Sequence, residues 1–183
     1  MSTRRVCALG AALLILLAGS AVAAQGPGLG KDISAQDLAP WDIDIEPNGA
    51  GLPPGSGTAA QGATVYAAKC IACHGLKGEG GLAPTLIANH PIKGINETTL
   101  VLAGYWPYAP TLFDYIRRAM PWQQPNSLTN DEVYALSAFI LAGNGLIPQD
   151  EVINASSLPK VRMPNRNGFI VRFPKLTPAF NVP

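Results

Sequence analysis

The sequence predicts an all-α domain that lies between two extended segments. Three stretches in the middle of the 183-residue chain carry apolar residues at helical spacing, and two of them begin with residues that cap helices. With 19 Gly and 17 Pro, about a fifth of the chain, much of the remaining backbone is expected to form loops. The formal net charge of +1 excludes a strongly basic nucleic-acid-binding protein, and three Cys are too few for a disulfide-stapled miniprotein.

The first two predicted helices cover residues 58–69 and 111–120. Thr58 is the candidate N-cap of the first helix, which ends near Lys69. The second helix places four residues on one face: Leu112, Tyr115, Ile116 and Ala119. We expect this face to be buried.

The third predicted helix has the clearest boundaries. Thr129 and Glu132 form a capping box, in which the Thr129 hydroxyl accepts from the Glu132 backbone N–H and the Glu132 carboxylate accepts from the Thr129 backbone N–H. Gly143 is expected to end the helix in a left-handed conformation. The apolar residues between these ends keep helical spacing: Val133, Leu136 and Ile140. Because the three helices offer few apolar residues, we expect a further group to fill their core.

Opposite charges mark the two flanking segments. Residues 24–57 contain one Lys and five acidic residues with seven Gly and five Pro, whereas residues 152–183 contain five basic residues and no acidic ones. We therefore divide the mature chain into an acidic extended arm at 24–57, a helical domain at 58–145 and a basic, Pro-rich extended tail at 146–183.

The first 23 residues have the features of a secretory signal peptide. Arg4 and Arg5 precede a 13-residue apolar run at 6–18, and Ala21 and Ala23 fit an A-x-A cleavage site after Ala23. Cleavage one residue later, or retention as an anchor, are the alternatives, but the run is shorter than the roughly 20 apolar residues of a spanning helix. Removal leaves a net charge of −1 and no other stretch that could span a bilayer. We expect an exported, periplasmic protein.

The stretch Cys70-Ile71-Ala72-Cys73-His74 is a C-x-x-C-H motif, the attachment signature of haem c. Two thiols three positions apart on a helical turn reach the two vinyl groups at one edge of the porphyrin. His74 then lies beneath the iron as its proximal ligand. The motif predicts one covalently bound haem c, with Cys70 and Cys73 forming the thioethers.

Three other uses of the motif agree less well with the sequence. A thioredoxin-like redox pair is expected within a βαβ pattern, and the sequence shows none. A structural zinc site needs four ligands and would have to combine the motif with His90, without a second half-motif. A plain disulfide between Cys70 and Cys73 would leave His74 without a role.

The second axial ligand of the iron must come from another part of the chain. Met120 is the first candidate, because it ends the second predicted helix and the loop that follows can lie across the far face of the haem. Met163 and His90 are the alternatives. A Met ligand raises the reduction potential relative to a second His. Since an iron with six ligands has no vacant position, the sequence predicts an electron carrier rather than an enzyme.

Other residues are candidates for contacts with the haem. The loop at Pro84, ten residues after His74, can offer a backbone carbonyl to the imidazole N–H and so fix the ring. Arg117 and Arg118 either pair with acidic groups, such as a propionate, or lie on the solvated helix surface. Three aromatic residues either wall the haem and bind its propionates or belong to the core: Trp106, Tyr108 and Trp122.

Five stretches of the mature chain carry a further resemblance. They are WDIDIEPNGAGLPPGSGTAAQG at 41–62, CIACHGLKGEGG at 70–81, YWPYAPTLFDYIRRAMPW at 105–122, SLTNDEVYALSAFIL at 127–141 and LPKVRMPNRNGF at 158–169. Through them the chain resembles class I c-type cytochromes, and more closely the cytochrome subunits of Sox-type sulfur (sulfane) dehydrogenases and of sulfite dehydrogenases.

The resemblance implies a class I cytochrome c-like helical haem domain with His74 as the proximal and Met120 as the distal ligand. It makes Met163 a structural residue of the family tail. It also implies a partner, a periplasmic molybdenum-cofactor protein that oxidises a sulfur compound and passes electrons singly to the haem. A downstream cytochrome or terminal oxidase would receive them. Some family members carry a second haem domain, whereas this chain has one C-x-x-C-H motif, so thiosulfate-oxidising and sulfite-oxidising systems both remain open.

Two other functions stay open on the sequence. One is a general carrier that shuttles electrons between other periplasmic dehydrogenases and a terminal oxidase, with fast and salt-sensitive exchange. The other is an enzyme or sensor in which Met120 dissociates and opens the iron to peroxide or a gas. If the chain is a dehydrogenase subunit, we expect the arm and the tail to be docking surfaces for the molybdenum partner.

Overall fold

The computed structural model describes residues 29–92 and 101–170, so the predicted signal peptide and the end of the tail lie outside the described residues. Its helices are α1 (Ala35–Leu38), α2 (Ala59–Lys69), α3 (Ile71–His74), α4 (Leu102–Tyr105), α5 (Ala109–Ala119) and α6 (Asn130–Gly143), followed by a 3-10 helix at Leu158–Lys160. Two short strands, β1 (Ser56–Gly57) and β2 (Ile153–Asn154), pair antiparallel. The predicted all-α class is confirmed. Within the described ranges, no helix is long and apolar enough to cross a membrane.

The described part of the arm up to Asp42 belongs to a compact unit of its own. It contains α1, which starts with a capping box. The Ser34 hydroxyl accepts from the Asp37 backbone N–H at 3.2 Å, and the Asp37 carboxylate accepts from the Ser34 N–H at 2.9 Å. No residue of α1 is buried. The segment expected to be extended therefore includes one short helix.

The N-cap predicted at Thr58 and the capping box predicted at Thr129 are both confirmed. The Thr58 hydroxyl accepts from the Gln61 N–H at 3.3 Å, and the Gln61 side-chain oxygen accepts from the Thr58 N–H at 2.9 Å. The Thr129 hydroxyl accepts from the Glu132 N–H at 3.2 Å, and the Glu132 carboxylate accepts from the Thr129 N–H at 2.8 Å. These bonds satisfy N–H groups that a helix start leaves without a backbone partner.

Helix α5 begins two residues earlier and ends one residue earlier than predicted. Pro110 lies in its first turn, where the missing N–H removes no helical hydrogen bond. Met120 follows the last helical residue in an extended conformation (φ −124°, ψ 144°), because the ring of Pro121 disfavours the helical region for the residue before it.

The left-handed stop predicted at Gly143 is wrong by two residues. Gly143 is still helical, and Gly145, with a φ of +70°, is the left-handed residue. The Leu146 N–H donates to the Leu141 carbonyl and the Gly145 N–H to the Ala142 carbonyl, both at 3.0 Å, which is the Schellman pattern.

The Asn144 side chain explains the later stop. Its amide nitrogen donates to the Ile140 and Leu86 carbonyls at 2.8 and 2.9 Å, and its amide oxygen accepts from the Ala88 N–H at 3.0 Å. Asn144 thereby ties the loop at 86–88 to the end of α6.

The packing of α2 against α6 forms the centre of the core. A Cβ atom at Gly62 would lie 1.9 Å from the Ala135 carbonyl oxygen, and one at Gly57 would lie 2.3 Å from the Ala135 nitrogen. Because backbone atoms cannot give way as a flexible side chain can, only glycine permits this approach. Beside the crossing, the rings of Tyr66 and Phe139 pack with centroids 4.8 Å apart.

Much of the described tail packs into the helical core, which differs from the extended tail we expected. Ile153, Leu158, Val161 and Met163 are buried with residues of α5 and α6. From Pro159 to Met163 the buried residues alternate with the exposed Lys160 and Arg162, and these basic residues mask the apolar pattern in the sequence. The tail therefore supplies part of the apolar volume that the three predicted helices lack.

The end of the arm is fixed to the start of α6. The buried Tyr134 hydroxyl donates to the Pro53 carbonyl at 2.8 Å. The Ser56 N–H donates to the Asp131 carboxylate at 2.8 Å. With β1 paired to β2, Ser56 lies opposite Asn154, so the segments before and after the helical domain meet.

Candidate haem site

One helical turn carries the C-x-x-C-H motif. Helix α2 ends at Lys69, Cys70 leaves the helical region (φ −122°, ψ −28°), and α3 resumes for a single turn. The positions of Cys70, Cys73 and His74, at i, i+3 and i+4, place them on one face of this turn. Gly75 then ends α3 with a φ of +81°, where a Cβ would lie 2.6 Å from the Gly80 carbonyl oxygen.

The His74 imidazole is held by a backbone carbonyl. Its Nδ1 lies 2.9 Å from the Pro84 carbonyl oxygen. Because a carbonyl can only accept, Nδ1 carries the proton and Nε2 keeps its lone pair for a metal. The contact expected at Pro84 is confirmed.

The loop after the motif folds back onto it. The Gly80 N–H donates to the His74 carbonyl and the Ala83 N–H to the Cys73 carbonyl, each at 2.8 Å. From the other side, the Tyr66 hydroxyl donates to the Gly75 carbonyl at 2.7 Å. Burial raises the pKa of Tyr66 to about 12, so this phenol stays a donor at neutral pH. The motif is thus fixed by α2 and by its own loop.

A single cavity brings the four predicted site residues together. It has a volume of about 380 Å³ and is lined by Cys70, Cys73, His74 and Met120. This volume falls in the range of roughly 300–1,000 Å³ that is usual for cofactor sites. The whole predicted face of α5 lines the same cavity: Leu112, Tyr115, Ile116 and Ala119. From α6 come Leu136 and Ile140.

The two alternative axial ligands lie elsewhere. Met163 is 3% exposed and packs in the helical core, and His90 is half-buried in a loop with its Nδ1 3.2 Å from the Pro91 carbonyl oxygen. Neither residue lines the cavity, whereas Met120 does. The structure therefore favours Met120 as the thioether that faces the motif.

The residues present fit haem c. Cys70 and Cys73 are not joined in a disulfide, so both thiols are available for thioether formation. Burial raises the pKa of the Cys70 thiol to about 11, which keeps it neutral at pH 7. The cavity also contains an imidazole with its Nδ1 engaged, a thioether and mostly apolar walls. Within the described ranges, no group of three or more His, Cys, Asp or Glu could hold a metal ion by itself.

Only some of the other residues predicted to contact the haem line the cavity. Trp122 lines the cavity and is 81% exposed, so it lies at the mouth. Trp106 and Tyr108 do not line the cavity; Trp106 packs edge-on against Tyr115, with centroids 5.4 Å apart. Arg118 pairs with Asp114 at 2.6 Å and with Asp44 at 3.3 Å.

The sequence alone did not indicate several of the cavity residues, among them two at the end of α2. Tyr66 and Lys69 line the cavity from the last turn of α2. The signal for Tyr66 was present, since it lies four residues before Cys70 and therefore on the same helical face as the motif.

Comparisons with known proteins agree with a haem-binding site. The family model described as cytochrome c matches residues 59–144, from the first residue of α2 to the C-cap of α6. A chain of the crystal structure of the sulfane dehydrogenase SoxCD from Paracoccus pantotrophus is similar at 35% identity and a TM-score of 0.71. The similarity covers 79% of this chain and 71% of that one. No curated protein sequence matches the chain.

Proposed function

Because this chain belongs to the cytochrome c family, we propose that it is a periplasmic monohaem electron carrier for a molybdenum-containing sulfur-compound dehydrogenase. It accepts electrons one at a time and passes them to the respiratory chain. Membership of the family makes the cofactor covalently bound haem c and makes the role electron transfer rather than catalysis. The observation that carries the proposal is the cavity in which the C-x-x-C-H motif and Met120 meet.

The residues of the cavity have separate tasks in this function. Bound haem supplies a one-electron couple between ferric and ferrous iron. Cys70 and Cys73 would hold the haem through thioethers, and the Pro84 carbonyl orients His74 with its Nε2 lone pair free to bind iron. Met120 would supply a second ligand, which favours a higher potential than a second His would. With His74 and Met120 both bound to the iron, no position would remain for a substrate.

The likeness to SoxCD supports the choice of partner. It covers 79% of the chain, which is more than residues 59–144 and therefore includes segments that flank the haem domain. A carrier needs its haem domain to hold the cofactor, whereas similarity in the flanking segments is typical of a shared assembly. The neighbour is a sulfane dehydrogenase by its description. A molybdenum protein that oxidises a sulfur compound is the corresponding partner here.

The test is an affinity pull-down of the mature, haem-loaded protein from its own periplasm. The recovered material is assayed for molybdenum and for haem reduction by sulfite or thiosulfate. Co-purifying molybdenum together with sulfur-dependent reduction would support the proposal and identify the substrate. Protein that is recovered alone and is reduced by no sulfur compound would instead indicate a general carrier. N-terminal sequencing of the same sample, with Ala24 expected first, tests the export step.

A further inference from the structure

Two segments of the cavity wall contain no Asp, Glu, Lys or Arg. They are residues 80–92, which contribute Ala83 and Leu86 to the wall, and residues 119–130, which contribute Met120 and Trp122 among others. We call these two segments the uncharged rim. With 14% of this chain charged, the two segments together would be expected to carry about three charged side chains, and they carry none.

Two large apolar side chains protrude from the uncharged rim. Leu82 is 91% exposed and immediately precedes Ala83, whose N–H is bonded to the Cys73 carbonyl at 2.8 Å. Leu82 therefore lies beside the second cysteine of the motif without lining the cavity. On the other segment, Trp122 is 81% exposed at the mouth of the same cavity.

Among the residues that the structure describes, several charged groups near the rim are paired within the chain. Lys69 lines the cavity, but its ammonium is 2.6 Å from the Glu132 carboxylate. Arg118, which immediately precedes the second segment, is bonded to Asp114 and Asp44. In the loop after the motif, Lys77 and Glu79 carry opposite charges two residues apart. The described part of the surface around the mouth therefore offers a partner few unpaired charges.

We propose that the uncharged rim is the docking surface for the protein redox partner, and that the partner's contact face is itself uncharged and apolar. A charged face would lose hydration at this rim without gaining an opposite charge. An apolar face would instead bury Leu82 and Trp122, and removal of apolar surface from water favours association. Large aromatic and apolar anchors of this kind usually dominate binding energy. This inference rests on the proposed electron-carrier function and names the chemistry of its partner.

The sharpest test places opposite charges at one position. Leu82→Lys and Leu82→Glu are compared in the haem-loaded protein by stopped-flow reduction with the molybdenum protein recovered in the pull-down. An apolar contact predicts that both variants lower the second-order rate constant about three- to tenfold. If one charge slows reduction and the other accelerates it, the partner face is charged and the proposal is wrong.

Val152 provides the matched control. It is 49% exposed, lies in the tail and does not line the cavity. Val152→Lys and Val152→Glu make the same two changes of charge, and we expect both to leave the rate within about twofold of wild type. A loss at Val152 equal to that at Leu82 would show a general charge effect and would overturn the proposal.

Trp122→Ala and the dependence on salt give a second test. We expect Trp122→Ala to lower the rate constant by a similar factor when variant and wild type are compared at equal haem content and equal driving force. Because the rim itself carries no charge, Leu82→Asn should lower the rate constant by the same factor at low and at high ionic strength. A loss that appears at only one ionic strength would overturn the proposal.

Electron self-exchange separates this proposal from the function on which it rests. Two copies of the chain bring two uncharged rims together, so the self-exchange rate, measured by NMR line broadening in mixtures of oxidised and reduced protein, needs no molybdenum partner. Leu82→Asn adds no charge and should slow self-exchange. If no sulfur compound reduces the wild type, the proposed function fails, and self-exchange still tests whether the uncharged rim is a docking surface. If reduction and self-exchange both survive the Leu82 and Trp122 variants, the docking proposal fails alone.

Discussion

Two methionines with the same chemistry lie in different surroundings, and this separates their roles. Met120 lines the cavity, whereas Met163 is packed in the core at 3% exposure. Replacing Met120 by His should substitute an imidazole for the thioether and lower the reduction potential by a substantial part of the roughly 0.8 V that axial ligands span. Spectroelectrochemical titration of the haem-loaded variant measures this shift.

Met163→Leu is the matched control for the proposed axial ligand, Met120. This nearly isosteric change should leave the potential and the haem spectrum unaltered and cost less than about 1.5 kcal/mol in the free energy of unfolding. A shift in potential for Met163→Leu, with none for Met120→His, would exchange the two assignments.

Glu132 combines a helix cap with an ion pair and makes stability depend on pH. Its hydrogen bond with Lys69 and its bond from the Thr129 N–H lower the pKa of the carboxyl. A depressed folded-state pKa stabilises the fold above the unfolded-state pKa of about 4.3, and this contribution is lost as the pH falls through the folded-state value. Glu132→Gln should therefore reduce stability by about 1 kcal/mol at pH 7, and the deficit should vanish in stronger acid.

Urea denaturation at pH 7 and at acid pH measures the Glu132 effect. Asp150→Asn removes one carboxylate from an exposed position and controls for the change in net charge. A deficit for Glu132→Gln that is equally large in strong acid would show that the charge is not responsible.

Among the helices, the crossing of α2 over α6 depends on one residue without a side chain. A Cβ at Gly62 would lie 1.9 Å from a backbone oxygen of α6. Alanine at a helical position normally gains up to about 1 kcal/mol over glycine. Here Gly62→Ala should instead destabilise the protein by about 1–3 kcal/mol, because the helices must move apart. Chemical denaturation of the haem-loaded protein gives the difference.

Ala63→Ser adds one atom at the neighbouring, exposed position of α2. We expect it to change stability by less than about 0.5 kcal/mol. If Gly62→Ala is as well tolerated, the helices can adjust their separation and the close crossing is not required.

The sequence predicted those parts of the elements that depend on near neighbours. Both caps, the α5 face that lines the cavity and the carbonyl at Pro84 follow from spacings of ten residues or fewer. The end of α6 was misplaced because Asn144 bonds to residues 86 and 88, far away in sequence. The packing of the tail was missed because its buried residues alternate with basic ones. One-turn helices such as α3 and α4 are too short to show a period.

On the scale of the whole molecule, deleting part of the arm tests whether the chain works within a complex. Helix α1 contributes no buried residue, and the unit from Ile43 onward has its own core. Deleting residues 29–42 should therefore leave the thermal midpoint within about 2 °C of wild type. If the acidic arm docks on the molybdenum partner, the same deletion should weaken binding in the pull-down. Unchanged binding would remove the arm from the interface.

The deletion must stop before the residues that fix the arm to the domain. Removing residues 24–57 would also delete β1 and the Pro53 carbonyl that accepts from Tyr134. A weakened complex would then reflect damage to the haem domain as much as the loss of a docking segment. A variant that lacks only residues 29–42 avoids this ambiguity.

The pairing of β1 with β2 has a mechanical consequence. Ser56 faces Asn154 and Gly57 faces Ile153, so the arm enters and the tail leaves at the same end of the ladder. Once a force that separates the arm from the tail acts on this ladder, its residue pairs break one after the other, with Ser56 and Asn154 first. The Tyr134–Pro53 bond lies beside the entry point and shares the load. Tension applied to the tail must therefore first pull the buried Leu158, Val161 and Met163 from the core before it reaches this ladder.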